Sequence, residues 1–195
     1  MCGTVLELQA AKVTLAQSGL EGTQALHPIV ANKIVTSTNM IVGAYVIAAQ
    51  PVAPSLLSIL TTTVTGADTM GTIAFVGTDI NDQPLTEVVI PVAGVTTYTV
   101  NAFKTVTSAT GAGWVINTGN DTLVIGTAGI VAPTGYYFAS LIVLAAAVVA
   151  SQTDMGGFIT APLSTITSIP VGVYPIKCTK IALTSGQAIV TLTRI

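Results

Sequence analysis

The chain has 195 residues, of which 51% are hydrophobic and only 7% are charged, and its net charge is −2. Soluble domains ordinarily carry about 25% charged residues, so most of this surface must be neutral. Six scattered basic residues exclude the clustered positive footprint that a nucleic-acid-binding protein needs, and we expect no nucleic-acid partner.

This weak charge leaves two interpretations open. A surface of Thr, Ala, Val and Gly is weakly hydrated and gives little charge repulsion between copies. The chain is then either a stable, uncharged monomer or a protein whose surface is covered by neighbours in an assembly. Apolar, poorly charged surfaces tend to mark contact sites, which favours the assembly.

Residues 1–30 do not give one clear pattern. They fit a strand or a short helix packed on the domain, or an N-terminal arm that becomes ordered on a neighbouring subunit. In the second case the contacts would come from the apolar side chains of the segment, which are Val5, Leu6, Leu8, Val13 and Leu15. The segment has no basic region followed by an apolar run, so we expect no secretory signal and synthesis in a cytoplasm.

From residue 33 to residue 126 apolar and polar residues alternate, and Gly, Asn, Asp or Pro stands at almost every break. This pattern predicts antiparallel strands joined by tight turns. The predicted strands are Lys33–Thr38, Met40–Ala48, Ser55–Val64, Gly71–Thr78, Leu85–Pro91, Thr96–Val100, Phe103–Thr110, Trp114–Ile116 and Thr122–Ile125.

The most apolar run is Tyr136–Ala150. As a helix, a run of this length would span roughly 22 Å, whereas a bilayer core needs about 20 residues. No charged residues flank the run to anchor it, so we expect no membrane span. Periodicity leaves open a long buried strand, two strands, or a short helix over Leu144–Ala150.

Residues 156–195 return to short strands. The predicted strands are Gly156–Ala161, Leu163–Ile169, Val173–Lys177, Thr179–Leu183 and Gln187–Arg194, with a hairpin between the last two. The fold class is therefore all-β, with an antiparallel β-sandwich over residues 31–130. Residues 131–195 either complete the sandwich or form a second, smaller β-rich unit.

Catalytic and metal-binding motifs are missing from the sequence. His27 stands alone before Pro28, and Cys2 and Cys178 lack the close spacing of a metal-binding pair. One disulfide between the two cysteines stays open, but a chain made in a cytoplasm favours two reduced thiols, which we expect. Asp79 and Asp82 flank a turn, where they cap the backbone rather than hold calcium, which needs six or more oxygen ligands. We expect no enzyme, no cofactor and no metal.

Four segments of the central region carry a resemblance. They are Gly71–Asp79, Leu85–Ile90, Ala102–Ser108 and Asn120–Gly126. In this order they resemble a β-sandwich segment of virion proteins from tailed bacteriophages. The chain departs from that pattern at the hairpin, where the usual glycine is missing and Asn81 and Asp82 are expected to adopt positive φ, which they tolerate better than most residues.

The resemblance implies a structural protein of a phage particle, located in the virion. Its partners would be the major capsid protein and copies of itself. A capsid decoration or cement protein is the first reading, and a head–tail connector or minor tail component is the alternative. A carbohydrate- or receptor-binding adhesin is more distant, because the sequence has one Trp and five Tyr to build a binding surface.

Overall fold

The computed structural model describes residues 23–63, 68–116, 121–132, 135–154 and 166–195, and all regular structure in these ranges is β. Within them no helix is found that could cross a membrane. The strands are β1 (Thr23–Leu26), β2 (Val35–Asn39), β3 (Ala44–Tyr45), β4 (Leu57–Thr62), β5 (Thr72–Thr78), β6 (Pro84–Val89), β7 (Thr97–Tyr98), β8 (Thr105–Ala112), β9 (Thr122–Thr127), β10 (Ile130–Val131), β11 (Tyr136–Asp154) and β12 (Gly172–Arg194). The all-β prediction is confirmed.

The first part of the chain forms two four-stranded antiparallel sheets. Sheet I has the strand order β2-β9-β4-β7, and sheet II has the order β3-β8-β5-β6. Both are rich in Thr, Val and Ile, the residues that fit a pleated, half-buried surface. The predicted strand at Trp114–Ile116 is reduced to one isolated bridge between Thr69 and Val115.

Sheets I and II share one hydrophobic core. Ile59 and Ile125 contribute from sheet I, and Ile73 and Phe75 from sheet II, and all four are completely buried. Phe103, just before β8, places its ring 6.0 Å from the ring of Phe75, a tilted aromatic pair. Two sheets facing one core is the arrangement that the predicted sandwich requires.

The hairpin between β5 and β6 is capped by a carboxylate. Asp79 Oδ1 accepts hydrogen bonds from the backbone N–H groups of Asn81 at 2.8 Å and Gln83 at 2.9 Å. Asp82 has a φ of 63°, whereas Asn81 is not in the positive region. The predicted turn is therefore correct, but positive φ falls on one residue rather than two, because the Asp79 cap already closes the turn.

Sheet III contains the two longest strands, β11 and β12, together with β1 and β10. The apolar run at Tyr136 is strand throughout, with alternating burial that leaves Leu144 exposed between the buried Val143 and Ala147. Its β-branched residues favour extended backbone.

The predicted hairpin between Thr179–Leu183 and Gln187–Arg194 is wrong. Both segments belong to the single strand β12, and both pair with β11 rather than with each other. The earlier part of β12, from Gly172, pairs with the first half of β11 along its other edge. The backbone groups of both segments thus pair with β11, so they are not available to pair with each other in a local hairpin.

Sheet III has its own core, and all of its buried members except Leu26 follow the last core residue of the sandwich in the chain. Ile125 is the final member of the first core, and Ile130 belongs to the second. β1 pairs with β12 and places Leu26 in this second core. Thr23–Leu26, at the end of the segment for which both a packed strand and an arm were open, is therefore an ordered strand of sheet III.

Ser55 forms hydrogen bonds at the junction between the sandwich and sheet III. Its Oγ donates to the carbonyl of Gly129 at 2.8 Å and accepts from the N–H of Gly129 at 3.1 Å. Gly129 has a φ of 107°, and a Cβ there would lie 2.6 Å from the carbonyl oxygen of Ile181. Only glycine fits this close approach of the link to β12.

Candidate interaction surface

The outward side of sheet II is a continuous neutral surface, which we call the neutral face. Directly opposed residues on neighbouring strands point to the same side, so the strand register defines its members. They are Ala44 on β3 and Val46 just after it, Ser108, Thr110 and Ala112 on β8, Thr72, Ala74 and Val76 on β5, and Thr86 and Val88 on β6 with Ile90 just after it. None of them carries a charge.

Two rows of the neutral face are fixed by the register. The first row crosses the sheet as Ala44, Thr110, Ala74 and Val88. The second row runs through Ser108, Val76 and Thr86. In both rows the valine lies on the β5 and β6 side, and the β8 position is Thr110 or Ser108. On the β3 side the first row has Ala44, whereas Val46, which follows β3, is large and exposed.

Large apolar side chains on this face are well exposed. The exposed fraction is 41% for Val76, 60% for Val88, 65% for Ile90 and 81% for Val46. Isolated exposed valines are ordinary, but contiguous apolar patches on soluble proteins commonly mark interaction sites. The grouping on one face, rather than the individual residues, makes this surface a candidate.

The opposite side of the same strands holds the face in place. Ile73 and Phe75 on β5 and Val106 and Ala109 on β8 are buried in the sandwich core. Because β5 and β8 are inner strands with partners on both edges, the face sits on a rigid support rather than on loops.

Charged residues near sheet II make contacts of their own, and none of them is a member of the neutral face. At the hairpin end of the sheet, Lys104 Nζ forms a salt bridge with Asp82 Oδ1 at 2.6 Å. Glu87 accepts hydrogen bonds from the N–H groups of Val100 at 2.6 Å and Asn101 at 3.0 Å, so its carboxylate is engaged by the loop before β8. Both partners of the first pair are exposed, so it contributes little stability.

The four segments that carry the resemblance come together in the structure. Gly71–Asp79, Leu85–Ile90 and Ala102–Ser108 contain β5, β6 and the start of β8, which are neighbours in sheet II. Residues 121–126 of the fourth segment contain most of β9, an inner strand of sheet I. The ordered set therefore covers the β5 and β6 part of the neutral face and part of the sheet packed behind it, but not Ala44, Val46, Thr110 or Ala112.

Candidate chemical groups do not gather into a site. No group of three or more His, Cys, Asp or Glu that could hold a metal is found in the described ranges. His27 lines a small cleft at the junction together with Lys33 and Pro54. Cys178 is buried in the core of sheet III, and Cys2 lies outside the described residues.

Tyr45 has a strongly raised pKa. Its hydroxyl donates to the carbonyl of Met40 at 2.6 Å, and its side chain is 5% exposed. Burial raises the pKa of Tyr45 to about 12, and the nearby indole of Trp114 lowers it in part. Its phenol is therefore a neutral structural donor below that pH.

A second cleft lies between the sandwich and sheet III. Lys180 of β12 places its Nζ 4.7 Å from the ring centroid of Tyr98, a cation–π contact across the junction. Ser58 and Thr127 also line this cleft. Burial lowers the pKa of the Lys180 ammonium, and the contact with Tyr98 explains its position without a ligand.

The predicted arm contacts Val5, Leu6, Leu8, Val13 and Leu15 all lie outside the described residues. The neutral face was missed by sequence reasoning, which predicted the strand Leu85–Pro91 without deciding which of its two sides is buried. The sequence of this strand does contain a signal, which is that both of its sides carry apolar residues. Leu85 and Val89 point inward, while Val88 and Ile90 point outward. A strand that is apolar on both sides is fully buried only when a layer of protein packs against each side.

The chain matches no family model, and comparisons with curated proteins and with solved structures also return no match.

Proposed function

We propose that this chain is a structural component of a tailed-bacteriophage particle, and that it acts as a capsid decoration or cement protein on the assembled head. The neutral face is the observation that carries the proposal. A rigid, uncharged, partly apolar surface suits repeated contact with neighbouring proteins. The resemblance of four segments, brought together around this face, supplies the phage assignment.

A decoration protein of this kind acts by mass action. It binds the assembled shell and not the free shell subunits, so binding stabilises the assembled state. Many weak contacts repeated by the symmetry of the shell add up as avidity. This function requires no catalytic residue, cofactor or metal.

In the proposal the N-terminal residues supply the contact with the shell. Val5, Leu6, Leu8, Val13 and Leu15 are the apolar side chains available in that segment. A variant that begins at Thr23 keeps β1 and the core of sheet III. We expect it to fold as the full chain does and to lose binding to particles.

Two measurements test the proposal. The first is the copy number in purified particles, by quantitative mass spectrometry against the major capsid protein. Hundreds of copies support decoration of the shell, six to a few dozen copies favour a connector or tail component, as expected from shell and vertex symmetry, and absence from particles refutes the virion assignment.

The second measurement is co-sedimentation of purified protein with particles that lack it. The full chain should bind until its sites are saturated, and the variant that begins at Thr23 should not. Circular dichroism and a denaturation midpoint equal to those of the full chain would show that the shorter variant is folded. Equal binding by both proteins would remove the N-terminal segment from the mechanism.

A further inference from the structure

We propose that two copies of this chain pair through the neutral face, sheet II against sheet II, about a two-fold axis parallel to the strands. This inference rests on the proposed function, because it names one neighbour that the face contacts in the particle. The occupant of the face is thus a second copy of the chain rather than the shell protein.

Charge is the first reason to choose a second copy. The neutral face contains no carboxylate, ammonium or guanidinium group, so it offers nothing to attract a charged partner surface. Two identical neutral faces meet without like-charge repulsion. They also bury no unpaired charge, which is the main cost of closing an interface around ions.

Shape is the second reason, and it selects the axis. A two-fold axis parallel to the strands, between β8 and β5, places the β3 edge of one copy on the β6 edge of the other. In the first row Val88 then faces the partner copy's alanine at position 44, and Ala74 faces threonine at position 110. In the second row Val76 faces serine at position 108.

Val88 and Val76 therefore each meet a smaller side chain of the other copy. Such alternation of large and small residues lets two sheets approach to about 10 Å and interdigitate. A two-fold axis perpendicular to the strands would instead stack each strand on its own copy and bring Val88 onto the same valine. The register of the two rows favours the first arrangement.

The size of the face sets the strength of the pair. Four strands about 4.8 Å apart, taken over the seven residues of β5 at about 3.3 Å each, limit the plane to roughly 19 by 23 Å, or about 440 Å². Stable interfaces bury about 800 Å² on each partner. Even though accessible area exceeds planar area, the pair should be weak and reversible in dilute solution and reinforced on a lattice.

Sedimentation equilibrium of the full chain over a wide concentration range tests the pairing. We expect a monomer–dimer equilibrium, with Val88→Lys and Ala44→Glu each weakening dimerisation at least tenfold. Both positions are exposed, so the folded monomer should tolerate them. Val100→Lys is the matched control, because Val100 is 79% exposed but lies off the face, and it should dimerise as the unmodified chain does.

Mixing the two single variants tests the axis itself. Positions 44 and 88 lie at opposite edges of one sheet, about three strand spacings or 14 Å apart, so the new charges cannot pair within one copy. Across the proposed axis they face each other, and the mixture should form heterodimers that added salt weakens. A monomeric wild type, unaffected Val88→Lys, or a mixture that stays monomeric would each overturn the pairing.

Particle binding separates this inference from the proposed function. A chain that is monomeric at all concentrations yet present on particles would refute the pairing and leave decoration intact. A chain that pairs as described but is absent from particles would refute decoration and leave the pairing intact.

Discussion

Replacing Ser55 by Ala should destabilise the junction between the sandwich and sheet III. Ser55 Oγ accepts hydrogen bonds from the N–H groups of Ala128 at 3.3 Å and Gly129 at 3.1 Å. The N–H of Ala128 keeps a bond to the carbonyl of Leu56 at 2.8 Å, and the carbonyl of Gly129 keeps its bond from the N–H of Leu56 at 2.6 Å.

The Gly129 N–H therefore becomes the group that loses its hydrogen-bond partner within the described residues. A buried donor left unpaired costs about 1–3 kcal/mol. With a urea slope of about 2 kcal/mol per molar, a central value near 2 kcal/mol moves the unfolding midpoint down by about 1 M.

Urea denaturation followed by circular dichroism and by the fluorescence of the single Trp measures this shift. Ser58→Ala is the matched control, because Ser58 is also nearly buried and its hydroxyl makes no hydrogen bond to the described part of the chain. The control should change stability by less than about 0.5 kcal/mol. Equal midpoints for the two variants would refute the assignment of Ser55 as a residue that stabilises the junction.

Two further predictions concern the sandwich. Phe75→Ala should lower the free energy of unfolding by about 3–5 kcal/mol, because Phe75 is completely buried. Val76→Ala, on the exposed side of the same strand, should change the free energy of unfolding by less than about 1 kcal/mol. Equal losses for the two variants in denaturant titrations would contradict the assigned faces. Tyr45 should make stability fall as pH rises from about 10 to about 12, since the unfolded phenol ionises near 10 while burial holds the folded pKa at about 12. Its contribution is fully present below pH 10, and Tyr45→Phe should flatten the decline in unfolding free energy measured across that window; an unchanged slope would count against the buried phenol.

The sequence was sufficient to predict the local structure of the sandwich. Alternation at period two identified Gly71–Thr78 and Leu85–Pro91, which the structure gives as Thr72–Thr78 and Pro84–Val89. Asp79 was expected to cap the turn between them, and it does. These features depend on residues close in sequence, where backbone preference and side-chain capping act directly.

The sequence was not sufficient where strands choose among distant partners. The apolar run from Tyr136 could be strand or helix by periodicity, and the pairing of its two edges with β12 decided for strand. The hairpin predicted after Leu183 failed for the same reason, since both of its segments pair with the much longer strand β11. Local turn chemistry was outweighed by pairing between residues far apart in the chain.

What the sequence determined by itself is that this protein is all-β, nearly uncharged and without an evident catalytic or metal-binding motif, because composition and period-two alternation are local properties. Only the tertiary structure decided which side of each strand meets water. Leu85 and Val88 are both apolar, but the packing of sheet II on sheet I buries the side that carries Leu85 and leaves Val88 exposed. The neutral face exists because a second sheet covers only one side of these strands, a fact that alternation within a strand cannot contain.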